Sequence, residues 1–590
     1  MPRLLACMGA LALVASGCGL TIDYVPEDGS PGQDAATAFD GGVAPGDAAT
    51  DAARDGSPDG GNPDQDAGPV CLDEDGDGVT DCDGDCDDGD PTRHPGALTI
   101  CGDGVTQDCS AGAEDAVCGG LGTFVSSTTG SDANPGTQAM PVATIAQGIA
   151  HAMTIGGGVD VFVAEGLYPE DVTLVDEISL VGGHDPASWR RDPASHVSTI
   201  RPPSFMGVRA PSGVGATTAL DGFRVEARGG PSTGTAVTIL AGAEPVISNN
   251  TLIGPDNGGA SRGVAINPAN MTNTGVRPTL FGNTIQVGRS GSGWGGGNGG
   301  WGVYAVQTTV DVVGNTILLS EAHTIQRGVE LFGCPDGRVS KNDIRGVSGP
   351  ETVFGIRVAS SGATVDGNLV TPGVVDQYGL GIALEGNITR VVVTNNIARG
   401  GDSAEQFSAG LWVAFERAPT TRPDVVVHSN FFAGGAARGW ATSAGAALVL
   451  ESGGPLTLGR FTDNILFHGS TGRGAAFIEY PSGEIDPERF VNNALHDPSA
   501  ASAATGPSLY LDEGSSRLTM IGDVNRLAGA SGNLRNDCGL LGLAGGDYHL
   551  PAGSVCVDAG DATEMPPEDF EGDARPLGAG PDIGPDERVP

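Results

Sequence analysis

A chain of 590 residues with a formal net charge of −43 offers no basic surface for a nucleic acid, so cations are its natural partners. Its 97 glycines and 5% aromatic content argue against one large aromatic core and favour small stacked layers joined by tight turns.

The first elements are targeting signals. Arg3 precedes a short apolar run, Leu4 to Val14, of signal-peptide length and too short to span a bilayer. The run ends at Ala15-Ser16-Gly17-Cys18, which resembles the lipobox of bacterial lipoproteins. The resemblance implies removal of residues 1–17 and a diacylglyceryl thioether on Cys18, so that the membrane becomes a partner through a lipid anchor. Ordinary cleavage near Ala15-Ser16-Gly17 would instead leave Cys18 a bystander. Either route predicts an exported protein; the lipid places it at the cell envelope, at the outer membrane or cell surface. Residues 18–70 consist mainly of Asp, Gly, Ala and Pro, which cannot bury enough apolar surface to offset chain entropy. They are expected to form a disordered acidic stalk.

Residues 71–118 hold Cys71, Cys82, Cys86, Cys101, Cys109 and Cys118 but almost no aliphatic core. Disulfides, which export permits, and bound cations are the available staples. Asp73, Asp75, Asp77, Asp81, Asp83, Asp85 and Asp87 alternate around glycines, the pattern of a hard oxygen cage for Ca²⁺. The match to a helix-flanked calcium loop is partial, because its twelfth position is Gly84 instead of Glu. Zinc fits poorly, since Cys82-x3-Cys86 has no matching second pair. The segment is similar to the metal-binding motif of bacterial surface proteins related to the MopE family, and more distantly to thrombospondin type 3 calcium repeats. That similarity implies a wrapped loop with structural calcium as the cofactor.

Residues 119–590 read as one body. Ile145, Ile149 and Met153 recur at helical spacing after Pro141, predicting a cap helix over Val142 to Met153. Strand-like Val159 to Val163 follows. A degenerate repeat then returns every 26 to 35 residues: an apolar stretch, an Asn, and further aliphatic residues. Copies lie at Asn249–Asn250, Asn283, Asn315, Asn342, Asn368, Asn395, Asn430, Asn464 and Asn492, with a second strand signal after a glycine in each period. Two strand signals per period without an intervening helix predict an all-β, parallel β-helix. Asn suits left-handed bends, and stacked amides can bond from coil to coil. Cys538 and Cys556 are candidates for a local disulfide, and Cys334 is left over as a small buried hydrophobe.

Both ends of this body carry a resemblance. Thr123-Phe124-Val125-Ser126, Gly130-Ser131-Asp132 and Leu180-Val181-Gly182-Gly183-His184-Asp185 at one end, and Asp569-Phe570-Glu571-Gly572-Asp573-Ala574-Arg575-Pro576 at the other, resemble the opening and closing motifs of DUF1565-type, pectin-lyase-like proteins. This implies a right-handed β-helix with a C-terminal closing motif, and fold alone does not settle function.

No catalytic residues stand out. Lys341 and the arginines show no lyase-like cluster, Asp343, Asp366 and Asp463 sit at bends, His184 reads as structural, and the histidines lack metal-ligand spacing. Trp294 and Trp301 in the Gly-rich stretch 289–302, and Trp440 in 433–444, are candidate carbohydrate contacts on loops. The expectation is therefore a calcium-stabilised, non-catalytic envelope lipoprotein that binds carbohydrate or a matrix component. The alternative is a polysaccharide lyase or another carbohydrate-active enzyme.

Overall fold

The computed structural model describes residues 79–87, 89–95, 97, 105–109 and 122–588, apart from 157, 231–232, 257–258, 272–274, 290–298, 322–324, 403, 420, 439–440, 453–454, 470–472, 481–484, 498–507 and 541–545. The signal segment, Cys18, the stalk, Cys71, Asp73, Asp75, Asp77, Cys101, Cys118, Trp294 and Trp440 lie outside the described residues.

Three sheets of 14, 13 and 12 strands stack along one axis, each strand pairing with the equivalent strand one coil earlier and later. We label them sheet I (from Gly122–Val125), sheet II (from Val172–Thr173) and sheet III (from Gly166–Tyr168). Pairing between coils is parallel, except for the terminal hairpin of Ser508–Asp512 with Ser516–Leu518. This is the predicted parallel β-helix. Its interior is filled by in-register aliphatic columns, such as Leu220, Ile247, Leu280 and Val312 in sheet I. Parallel strands buried on the inner face need such branched residues, because each side chain packs on its equivalent one coil away. Towards the C-terminus the filling becomes aromatic: Phe477 lies 5.3 Å from Phe461 and 5.0 Å from Tyr510, centroid to centroid.

The corner between sheets I and III explains the Asn repeat. From Asn249–Asn250 onward, each of these corners has a residue in the left-handed region followed by a buried Asn, as at Gly314–Asn315 (φ 63° at Gly314) and Lys341–Asn342 (φ 54° at Lys341). The Asn side chain donates to Oδ1 of the Asn one coil on, 2.9 Å from Asn283 to Asn315 and 3.1 Å from Asn315 to Asn342. Two members differ from expectation. The rungs are Asn396 and Asn493; Asn395 (φ 54°) and Asn492 (φ 53°) occupy the preceding left-handed position. An Asn-Asn pair satisfies both requirements of the corner, so sequence spacing alone cannot say which amide is buried. The ladder also runs further, through Asn533 to Asn525.

The N-terminal helix forms at Ile145–Ile155, capped by Thr144, whose hydroxyl accepts from the Gln147 amide at 3.1 Å. Glu170 closes the same end by accepting from the Ile145 and Ala146 amides, 2.9 Å each. Its buried face is Ile145, Gly148, Ile149 and Ala152, while Met153 is 60% exposed. Met153 therefore leaves the predicted stripe; the helix sits close to the sheet through Gly148 and Ala152, which turns Met153 to the rim. At the other end, Leu518, Ile521 and Leu527 pack on the core around the short helix Ile521–Val524.

The C-terminal motif lies along the flank. Cys538, Leu540, Leu550, Cys556 and Ile583 pack on the outer side of sheet III against Ile397, Phe431, Ile465 and Ala494. The Asp561 amide donates to Asp463 at 2.7 Å, and Asn395 donates to the Glu568 carbonyl at 2.9 Å. Asp569 organises the turn by accepting from Glu571, Asp573 and Glu587 amides. Buried Arg575 donates to the Gly584 carbonyl at 2.8 Å and the Asp582 carbonyl at 3.2 Å.

Candidate functional site

The Asp/Cys module is stapled by Cys86–Cys109, and Cys82 is also disulfide-bonded. Asp81–Asp83 form one turn of 3₁₀ helix, and Gly84 (φ 98°) turns the chain towards Asp85. The predicted ligands are used unequally. Asp83 accepts from the Thr80 hydroxyl at 2.9 Å, and Asp87 is paired with Arg93. Asp85 Oδ1 accepts from the Asp87 amide at 2.7 Å, whereas Asp85 Oδ2 is buried with no hydrogen-bond partner in the protein. An orphaned carboxylate oxygen beside a sharp glycine turn is the atom a hard cation would satisfy, so the residues fit a metal.

The tryptophan expectation meets a correction. Trp301 lies in the sheet II strand Gly300–Val306, 8% exposed, with its indole N–H donated to Glu330. Arg262 and Arg327 lie over its ring at 5.2 and 4.8 Å. Glu330 also pairs with Arg327 at 3.2 Å and with Arg357, which reaches Glu385 at 2.7 Å. Burial drives the Glu330 carboxyl upward, but the Arg327 and Arg357 charges outweigh it and hold the group below its ordinary range. The strand begins at Gly300, one residue before Trp301, so the ring is laminated between arginines of successive coils instead of projecting from a loop.

A cleft of about 340 Å³ on the outer side of sheet III gathers the convergent groups that the sequence did not reveal. Arg399, Ala433, Phe467 and His496 occupy successive positions of one outward column. Asp402, Gly434, His468 and Gly469 line it from the turns towards sheet II, and Asp537, Leu540 and Tyr548 from the C-terminal segment. Its aromatic wall is continuous. Phe431 lies 5.2 Å from Phe467 and 5.3 Å from Tyr548, and Phe467 lies 4.5 Å from His496.

The polar groups of this cleft are incompletely satisfied. His468 is 4% exposed, and neither ring nitrogen has a hydrogen-bond partner in the protein. Burial pushes it down to about 4 against the pull of Asp497, so the imidazole is neutral at neutral pH. Burial also lowers His496, opposed by Asp537 and Asp497, and raises Tyr548, opposed by Arg399. No carboxylate among the described residues lies within ion-pairing distance of half-buried Arg399. Asp402 Oδ1 caps the Ala436 amide at 2.8 Å. A ligand entering here would meet a cation, a neutral imidazole and two carboxylates beside stacked rings. One signal existed in the sequence: the outward sheet III positions, Thr284 and Thr316 in earlier coils, become Phe431 and Ile465 in later ones, which demands a cover.

The other expected residues fall into structural places. Cys538 pairs with Cys556, and Cys334 is a buried free thiol pushed up to about 11 by burial. Asp366 accepts from the Thr394 hydroxyl at 2.6 Å, and buried His184 faces the Val163 carbonyl at 3.4 Å.

Residues 85–115 match the model of the MopE copper-binding family, described as a "putative metal-binding motif". The match begins at Asp85, after the Asp73–Asp81 run. No curated protein matches the chain. Among solved structures, the chain is similar to pectate lyase Pel9A, with 12% identity, 80% of this chain and 98% of that one covered, and a TM-score of 0.31. It is also similar to a rhamnogalacturonan lyase, with 12% identity, 54% and 83% covered, and a TM-score of 0.23. A lacto-N-biosidase of family GH136 from Eubacterium ramulus follows, with 11% identity, 69% and 67% covered, and a TM-score of 0.17. The comparisons contribute a match to a metal-binding motif at residues 85–115, and the parallel β-helix that follows it rests on the sheet topology.

Proposed function

We propose that this protein is a lipid-anchored envelope protein whose β-helix binds carbohydrate in the sheet III cleft without catalysis, with calcium held by the Asp85 module. The observation that carries the reading is the cleft wall, where the unpartnered imidazole of His468 and the cation of Arg399 stand with Phe467 and Tyr548. Sugars offer alternating hydroxyls and apolar ring faces, and such a wall supplies hydrogen-bonding groups and stacking surfaces together. The arginine-rich layer on sheet II is less suited, because Glu330 and Glu385 already consume its charges.

The test is a glycan array probed with the full chain, followed by calorimetry on any hit with Phe467→Ala and His468→Ala. Binding that both variants weaken supports the reading; no glycan bound, or unchanged affinity in both, refutes it. The neutral, buried imidazole of His468 near Asp402 and Asp537 favours one second reading, an enzyme acting on a polysaccharide in the same cleft. Release of unsaturated uronate or new reducing ends, lost in His468→Ala, would establish it. The anchor rests on the sequence around Cys18, and absence of lipid labelling in wild-type protein would remove it.

A further inference from the structure

At the C-terminal end of sheet II an inward-facing column changes character. Strand pairing runs from Leu384 through Val413 and Leu448, all buried aliphatics, to Glu479. Glu479 is 1% exposed. Its Oε1 accepts from the Tyr510 hydroxyl, while its Oε2 is buried with no hydrogen-bond partner in the protein. Two further carboxylates converge there. Asp486, from the short strand Ile485–Asp486, and Asp512, from the end of Ser508–Asp512, each bring an oxygen within 4.8 Å of one offered by Glu479 and of each other. Burial, with the Asp486 and Asp512 charges, pushes Glu479 up to about 9 against the hydrogen bond from Tyr510. An aliphatic position has thus been given to a crowded carboxylate with one orphaned oxygen.

We infer that Glu479, Asp486 and Asp512 form a divalent-cation site of the calcium type, separate from the N-terminal module and additional to the function proposed above. The three oxygens lie within 4.8 Å of one another, and Ca²⁺, which takes about 6–8 hard oxygen ligands in flexible geometry, suits an irregular carboxylate set better than Mg²⁺, which demands a near-ideal octahedron. Three carboxylates supply three to six of the oxygens that Ca²⁺ takes, and exposed Asp486 leaves room for water to supply the rest. Tyr510 is a positioning residue: by donating to Oε1 it turns Oε2 towards the ion. The site joins the strands Arg473–Glu479 and Ser508–Asp512 near the point where coil stacking ends, and there a cation replaces the packing that a further coil would have provided.

The experiment is titration of the full chain with Ca²⁺ alone, followed by calorimetry and by the shift in thermal unfolding, across wild type, Glu479→Gln, Asp486→Asn, Asp512→Asn and Asp85→Asn. Wild type should show a binding event that Asp486→Asn weakens at least about tenfold and Glu479→Gln abolishes, because each removes one of three anionic ligands. Asp85→Asn should leave that event in place, which separates it from binding at the N-terminal module. Terbium luminescence excited through tyrosine should fall in Asp512→Asn. Asp486 is exposed, and Glu479→Gln keeps a side-chain carbonyl as the acceptor for Tyr510, so neither substitution disturbs the fold. An identical Ca²⁺ response in Asp486→Asn and Glu479→Gln, or no event at millimolar Ca²⁺ in wild type, overturns the site and leaves carboxyls that merely share a proton.

Discussion

Replacing Asn368 by Ala tests the ladder at its centre. The Asn368 amide donates to Val339 O at 2.8 Å, Asp366 O at 3.0 Å and Asn396 Oδ1 at 2.9 Å. Its Oδ1 accepts from both the backbone and the side-chain amide of Asn342, 3.0 Å each. The Asn342 side chain keeps acceptors at Val312 O and Ser340 O, but its backbone N–H loses the partner this rung provides. An orphaned buried donor costs about 1–3 kcal/mol, and each further bond lost costs about 1 kcal/mol net, so a total of about 3–5 kcal/mol is expected. Coils contact only their neighbours, so the damage should be local and should accelerate amide exchange at Asn342 and Asn396 before distant coils respond. Denaturant unfolding combined with site-resolved exchange measures both effects, with exposed Asn387→Ala as a control expected within about 0.5 kcal/mol of wild type. A loss below about 1 kcal/mol for Asn368→Ala, or uniform acceleration of exchange, would refute the ladder as a source of stability.

Three further perturbations probe the ends and the flank. Asp463 is pushed up to about 8 by burial and by Asp561, against the Asp561 amide and the Arg575 and Arg489 charges, while neighbouring His428 is pushed down to about 4 by burial and Arg575, against Asp561. The Asp463 contribution is complete below its unfolded value near 3.8 and is lost as pH rises through about 8, at up to about 1.4 kcal/mol per pH unit. That of His428 is complete above about 6.5 and is lost as pH falls through about 4. Asp463→Asn should therefore flatten the decline in stability between about pH 6.5 and 8, where His428 contributes no slope, and leave the His428 loss below about 6.5 in place; equal slopes over that window in both proteins would contradict this. Cys538→Ser with Cys556→Ser should free an 18-residue span and cost about 3 kcal/mol, read as early protease cleavage in 535–588 while the coils stay protected. Gly148→Ala would place a Cβ 2.5 Å from Val125 Cγ2 and 2.8 Å from Val161 Cγ1, and a fall in stability of about 1–3 kcal/mol should appear in thermal melts; a neutral effect would mean the cap helix is not seated as described.

Features that depend on residues close together in the chain were legible from sequence. The Asn-centred repeat announced a solenoid because a two-residue corner needs a left-handed residue and then a buried amide, and both requirements are written within four positions, as in Phe281-Gly282-Asn283-Thr284. Alternating aspartates announced the metal-binding module in the same way, and Ile145 and Ile149 announced the cap helix. Features set by register between coils were not legible. Whether Asn395 or Asn396 forms the rung depends on which of them stacks over Asn368 and Asn430, and Trp301 is buried because Arg262 and Arg327 stand above and below it in neighbouring coils. The cleft needs residues from 399 to 548, and the carboxylate cluster brings Glu479 to Asp512, separations at which side-chain chemistry carries no local signal. Sequence alone determined that the chain would coil and at which residues it would turn. Stacking, and the return of the C-terminal segment along the flank, decided which side chains meet, because contacts beyond the corner are made with residues one coil away or far along the chain.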